Sequence, residues 1–280
     1  MLSRTLPCRR ATSSRSSMSP DGQILWDRRG HTAVALIDRP ARRNALSAAL
    51  CDDLRTHLER NHDLRAVVIG GAGDKAFCAG ADLARRADDT AGGLTHGGGD
   101  SFRPAFERLL DEIVDFPAPI IAAVNGHALG AGMQLAVACD VRVVAPNATF
   151  GIPAGKLGVA ISAINVQRLV QAVGQPMARD VLLTARVLAV DEARAVGLVQ
   201  RVADDAVAAA AELAEETARL APLSARAHKA MLGRVARSGS LSAGDRDDLA
   251  GLEVGAFASD DLQEGLAAFS EKRPPNFSGR

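Results

Sequence analysis

The stretch from Val124 to Asp140, VNGHALGAGMQLAVACD, constrains this chain more than any other. The apolar run Pro119 to Val124 ends there, and a helix-like segment from Met133 to Cys139 follows a turn of small residues. Gly130, Ala131 and Gly132 put no bulky side chain in that turn, so its backbone can come close to another group. The first N–H groups of a helix lack internal partners and carry the positive end of its dipole. A strand feeding such a start suits an anion or a polarised carbonyl oxygen. It equally suits a plain strand-to-helix connection, since small-residue turns are common.

A second stretch of the same kind narrows the reading. Lys75 to Leu83, KAFCAGADL, follows the strand-like Ala66 to Gly70 and is again built from small residues. The pair resembles the two signatures of the crotonase (enoyl-CoA hydratase/isomerase) superfamily. The resemblance implies an α/β protein of the ClpP/crotonase-like fold, with repeated ββα units and a C-terminal helical region that builds trimers or hexamers. It also implies an oxyanion hole for an acyl-CoA thioester, with the N–H groups of Ala81 and Ala131 as donors. Two fixed donors about 3 Å from an enolate-like oxygen are worth roughly 3 kcal/mol each in a dry site. Cys78, Ala79, Gly80, Asp82, Leu83 and Gly130 would line the same site.

Composition agrees with one soluble domain. The 280 residues carry 33 basic and 33 acidic side chains and are 47% hydrophobic, enough for a sizeable core. No run approaches the roughly 18 apolar residues of a membrane helix, and no basic block suggests nucleic acid. Cys8, Cys51, Cys78 and Cys139 lack metal-ligand spacing, so we expect reduced thiols, no metal, and no cofactor beyond the coenzyme A of the ligand. Four lysines among many arginines and alanines suggest a GC-rich bacterial genome and a cytoplasmic protein. Residues 1–21 are rich in Arg and Ser with no acid before Asp21. They read as a disordered extension, with Met18 as an alternative start, ahead of a core at 22–205 and a helical trimerisation region at 206–280.

Periodicity places the flanking elements. Gln23 to Trp26 and Thr32 to Ile37 read as strands around a turn at His31. Ser47 reads as an N-cap before a helix faced by Leu50, Leu54 and Leu58, and Phe102, Phe106, Leu109, Leu110 and Ile113 repeat at helical spacing. Arg85 to Asp100 is glycine-rich and aperiodic, which suits a mobile loop over an acyl chain, with His96 solvated. By the resemblance, Arg42 or Arg43, with Ala45, lies beside the coenzyme A, although solvated turn charges would look the same. The tail EKRPPNF also fits the family, where the residue matching Lys272, with Phe269 nearby, approaches the coenzyme A of a neighbouring subunit.

The acids of the hydratase pattern are missing. Aligned with ALGGGxELAxxCD and FGxPEx, Gln134 and Ala154 stand where two glutamates belong. Neither Asp nor Glu occurs between Asp140 and Asp180. A glutamine can hold a water but cannot take its proton, and alanine can do neither. Within the superfamily, the text most resembles the mycobacterial non-hydratase type, regarded as an acyl-CoA binder serving mycolic acid synthesis. The leading expectation is therefore an acyl-CoA carrier, with fatty-acid synthesis enzymes as possible partners. Two rivals stay open: a hydratase or isomerase whose acid is Asp82 or lies in the loop, and a malonyl-type CoA decarboxylase using Gln134 and Lys156. If only the acids are missing, Gln134→Glu with Ala154→Glu should restore hydration.

Overall fold

The structure is a computed structural model that describes residues 22–82, 101–238 and 240–280. The extension at 1–21 and the glycine-rich loop with Leu83 and His96 lie outside the described residues. Its centre is a stack of near-continuous apolar strands. β3 (Ala66–Gly71) and β5 (Ile120–Val124) are buried at every residue, as expected of parallel strands covered on both faces. They sit inside a six-stranded sheet of order β1-β2-β3-β5-β7-β10, completed by β1 (Gln23–Arg29), β2 (Thr32–Asp38), β7 (Val141–Val144) and β10 (Arg201–Val202). β1 and β2 form an antiparallel hairpin, with Trp26 opposite Ala35, and the remaining pairings are parallel, Val67 opposite Ile120 and Ile121 opposite Val141.

A smaller sheet of order β4-β6-β8-β9 is made of three-residue strands: β4 (Ala76–Cys78), β6 (His127–Leu129), β8 (Thr149–Gly151) and β9 (Val187–Ala189). The chain gives one strand to the large sheet, the next to the small sheet, and then a helix. β3 and β4 precede α2 (Phe102–Asp115), β5 and β6 precede α3 (Ala131–Ala138), and β7 and β8 precede α4 (Ala163–Thr184). This is the expected ββα repeat. It changes the anatomy of the opening stretch, because β6 intervenes between Val124 and the Gly130 turn. The apolar run and the helix are thus joined through a second sheet. α4 bends at Gly174 (φ 75), two residues before Pro176.

The period-two alternation of the buried strands divides the core. Val67, Ile69, Ile120, Ala122 and Val124 face the main cluster, with Leu50, Leu54 and Leu58 of α1 (Ala48–Glu59) and Leu109, Leu110 and Ile113 of α2. Ser47 caps α1, accepting from Leu50 N at 3.3 Å. Ala66, Val68, Ile121 and Ala123 face the other way, onto Ala210 and Ala214 of α6 (Ala206–Ala218), whose methyl groups let the helix lie close to the sheet. α5 (Val190–Ala195) leads back to β10.

α7 (Pro222–Ser238), α8 (Ala243–Phe257) and α9 (Asp260–Glu271) follow. Lys229 of α7 fastens them to the core, donating to the carbonyls of Ile113 (3.1 Å) and Ala118 (2.9 Å) and to Asp140 Oδ2 (2.8 Å). Among the described residues no helix is long and apolar enough to cross a membrane.

Helix α3 is locked onto β4 of the smaller sheet by backbone contact. A Cβ built on Gly132 would lie 2.0 Å from the carbonyl oxygen of Cys78, a separation no side chain can relieve. We therefore expect Gly132→Ala to destabilise the protein by about 3 kcal/mol or more. Gly251→Ala, in open space on α8, should instead stabilise by about 0.5–1 kcal/mol. Urea unfolding of both variants checks the contrast, and equal midpoints would remove the proposed lock.

Candidate active site

The first turn is held by its neighbours in sequence and in space. After β4, Ala79 N donates to Arg43 O (3.0 Å), Leu46 N to Gly80 O (2.9 Å) and Asp82 N to Leu46 O (2.8 Å). This short parallel bridge uses the groups flanking Ala81 and leaves the Ala81 N–H out of the ladder. The supporting segment, residues 39–46, is itself pinned by Asn44. That residue is 1% exposed with φ 57, accepts from Arg39 N (3.0 Å) and donates to Ala72 O (3.0 Å) and Ala76 O (2.7 Å). Asn125 does the same from the other side, with Nδ2 donating to Gly71 O (2.8 Å) and Gly73 O (2.5 Å).

The second turn opens α3. Gly130 takes φ 57 and ψ −114, a conformation closed to residues with a Cβ, and its N–H donates to Gly151 O of β8 at 2.8 Å. Ala131 is the first residue of α3, so its N–H precedes the first intrahelical bond, from Gln134 N to Gly130 O (3.2 Å). The two turns touch. A Cβ on Gly80 would sit 3.2 Å from Leu129 O and 3.9 Å from Ala131 N, and one on Gly130 would sit 3.7 Å from Gly80 Cα. The sequence-predicted donors Ala81 and Ala131 thus stand on adjoining backbone, with Cys78, Ala79, Gly80, Asp82 and Gly130 around them.

The charges near this junction are committed. Arg39 Nη1 lies 2.6 Å from Asp82 Oδ2, with both side chains under 10% exposed, and it also reaches Ala45 O at 3.4 Å. Asp82, a candidate acid in the sequence, is therefore an ion-pair partner. The far end of α3 is capped by Arg142, a buried guanidinium that donates to Ala136 O (3.1 Å), Cys139 O (2.8 Å) and Leu198 O. Burial pushes its pKa down from the ordinary arginine value. Burial also pushes the Cys78 thiol up to about 12, so it stays a neutral thiol beside Gly80, its Sγ 3.6 Å from that carbonyl.

Other predicted residues fall into place with less consequence. Gln134 is half-buried on α3, and Ala154 starts a short 3-10 helix (Ala154–Leu157), packed on the main core. Arg42 and Arg43 are exposed on the 39–46 turn and Ala45 is buried below them. Lys156 is exposed. Lys272 caps α9 in the left-handed conformation (φ 54) and Phe269 is 87% exposed, so both belong to the C-terminal helices rather than to the two turns. His127 is bonded to Thr149 Oγ1 (2.8 Å), and His31 sits in the β1–β2 turn. Among the described residues no cluster could hold a metal ion. Sequence reasoning missed Arg39, Asn44, Asn125 and Arg142. The signal was there for Arg142, a charge inside the apolar strand VRVV that demands partners.

Residues 29–280 match the family model for enoyl-CoA hydratase/isomerase. The chain belongs to the enoyl-CoA hydratase/isomerase family. Within this family it is similar to 2,3-dehydroadipyl-CoA hydratase of Escherichia coli, 36% identical over 92% of this chain and 99% of that protein. It is also similar to echA6 of Mycobacterium tuberculosis, named as an enoyl-CoA hydratase, at 37% identity over 87% of this chain and 94% of that one. Among solved structures, an enoyl-CoA hydratase/carnithine racemase of Magnetospirillum magneticum matches with TM-score 0.80 at 32% identity, covering 92% and 96% of the two chains.

The buried pair generates a prediction. Removing one partner leaves an uncompensated charge, whereas an apolar pair of similar volume does not. Arg39→Met should destabilise by about 3–5 kcal/mol, and adding Asp82→Leu should recover most of it. Urea midpoints decide this, and a single variant within about 1 kcal/mol of the parent would show the pair to be dispensable.

Proposed function

We propose that this protein binds fatty acyl-CoA thioesters, with the Ala81 and Ala131 N–H groups as an oxyanion hole, and hydrates them poorly or not at all. The observation that carries this reading is the state of the carboxylates. Gln134 and Ala154 occupy the two acid positions of the hydratase pattern, and the nearby Asp82 is tied to Arg39. Each missing proton-transfer group is worth about 100- to 10,000-fold in rate. A binder that polarises the thioester without moving protons would act as an acyl-CoA carrier in fatty acid or mycolic acid metabolism. Arg42 or Arg43, and Lys272 with Phe269 from a neighbouring subunit, would meet the coenzyme A.

Self-association through residues 206–280 belongs to the same reading. Leu232 (71% exposed), Val254 (64%), Phe257 (67%) and Leu266 (59%) leave large apolar side chains in water on α7, α8 and α9. That supports a homotrimer or a hexamer, in which such surface is covered. We infer a cytoplasmic protein that hands acyl groups to enzymes of fatty-acid synthesis.

A second reading, an active hydratase or isomerase, draws support from the names of the relatives. Of its candidate acids, Asp82 is paired with Arg39, and those of the glycine-rich loop lie outside the described residues. The decarboxylase reading asks Lys156 to meet a carboxylate, and that side chain is exposed.

The readings part on turnover. We expect long-chain acyl-CoA to bind in native mass spectrometry while crotonyl-CoA keeps its enoyl absorbance. A kcat within the ordinary range of about 1–1,000 per second would overturn the carrier reading.

A further inference from the structure

We propose that Gln134 is a positioning residue: its side-chain amide holds and polarises the peptide that presents the Ala131 N–H. The inference rests on the acyl-CoA reading above and deepens it. The Gly130 carbonyl and the Ala131 N–H are the two ends of one peptide unit. That carbonyl accepts from Gln134 N at 3.2 Å and from Gln134 Nε2 at 3.2 Å.

Two features make the second bond consequential. Gly130, at φ 57 and ψ −114, has no Cβ to restrict rotation of this peptide, so its plane is fixed from outside. The preceding peptide is anchored through the Gly130 N–H to Gly151 O (2.8 Å), and the carbonyl of this one is held by Gln134. In addition, a donor on a peptide oxygen draws electron density toward that oxygen and strengthens the N–H at the other end. Such polarisation along a chain of hydrogen bonds is on the order of 10–30% per bond.

A glutamate here could not play the part. An ionised carboxylate only accepts hydrogen bonds, and the Gly130 oxygen also only accepts, so the two would repel. The side chain would swing away from the turn. Gln134 is therefore more than the remnant of an acid, and the expectation that Gln134→Glu with Ala154→Glu simply restores hydration is revised. That double variant would gain acids and lose a support of one oxyanion donor.

The test uses the full-length protein, a long-chain acyl-CoA thioester, and the matched S-alkyl-CoA thioether, in which a methylene replaces the carbonyl. The affinity ratio of the two isolates what the oxyanion donors contribute. Difference infrared spectra of the ¹³C-labelled thioester carbonyl report its polarisation. We expect the parent to favour the thioester and to lower its carbonyl frequency. Gln134→Met, of similar length but without a donor, should lose about three- to tenfold of that preference. It should also return the frequency toward the free value, with thioether affinity unchanged.

Gln134→Glu should behave like Gln134→Met near neutral pH. It should regain the preference as its carboxyl protonates, at or above about pH 4.3 because the bond to the Gly130 oxygen favours the neutral form, while the ratio for Gln134→Met stays flat. This pH profile keeps the proposal testable should Gln134→Met fold poorly, and a purely structural role would not produce it. If the parent discriminates and both variants keep its ratio and frequency, Gln134 has no such role, while the acyl-CoA reading stands. If the parent binds neither ligand, the acyl-CoA reading falls and this inference falls with it.

Discussion

The first turn of helix α3 rests directly on the backbone of β4, and the rest of the fold is built to allow it. Gly132 lies against the Cys78 carbonyl with room for a hydrogen atom only. Dispersion and hydrogen bonding act at such range only when both segments are rigid. The rigidity comes from three-residue strands in a second sheet, from the Asn44 and Asn125 amides, and from the Arg39–Asp82 pair. None of these groups needs to touch a ligand. Their shared effect is to hold the Gly80 and Gly130 turns against each other and keep them there.

Much of this was legible in the chain, and the boundary of legibility is physical. Long amphipathic segments announce themselves, so Leu50, Leu54 and Leu58, and Phe106, Leu109 and Ile113, mark α1 and α2 correctly. The buried β3 and β5 read as apolar runs for the same reason. Strands of three residues complete barely one alternation, so β4, β6, β8 and β9 carry no readable period. That is why β6 was hidden inside what reads as a turn. The glycine motifs were visible and pointed to the family. The residues that hold those motifs were not, because Asn44 and Asn125 look like ordinary turn asparagines until tertiary structure buries them.

The chemistry of the site turns on what a side chain can donate. Asp82 is near one oxyanion donor, yet a carboxylate already facing a guanidinium at 2.6 Å is poorly placed to accept a proton from water. Gln134 is near the other, and its amide points back at the Gly130 carbonyl. Both of these side chains are thus turned toward the scaffold. In the reading proposed above, such a site stabilises charge on a bound oxygen without moving a proton.

Arg142 has a bearing on how the chain is made. Its guanidinium leaves water only when the carbonyls of Ala136, Cys139 and Leu198 replace the solvent, and Leu198 lies 56 residues further along the chain. A nascent chain that has only just passed Val144 lacks that last acceptor, and burying the charge early is unfavourable. The C-terminal end of α3 would therefore close late, once the segment after α5 has emerged from the ribosome. Until then the Arg142 guanidinium keeps its water, and β7 cannot be fully covered, whatever ligand the finished site takes.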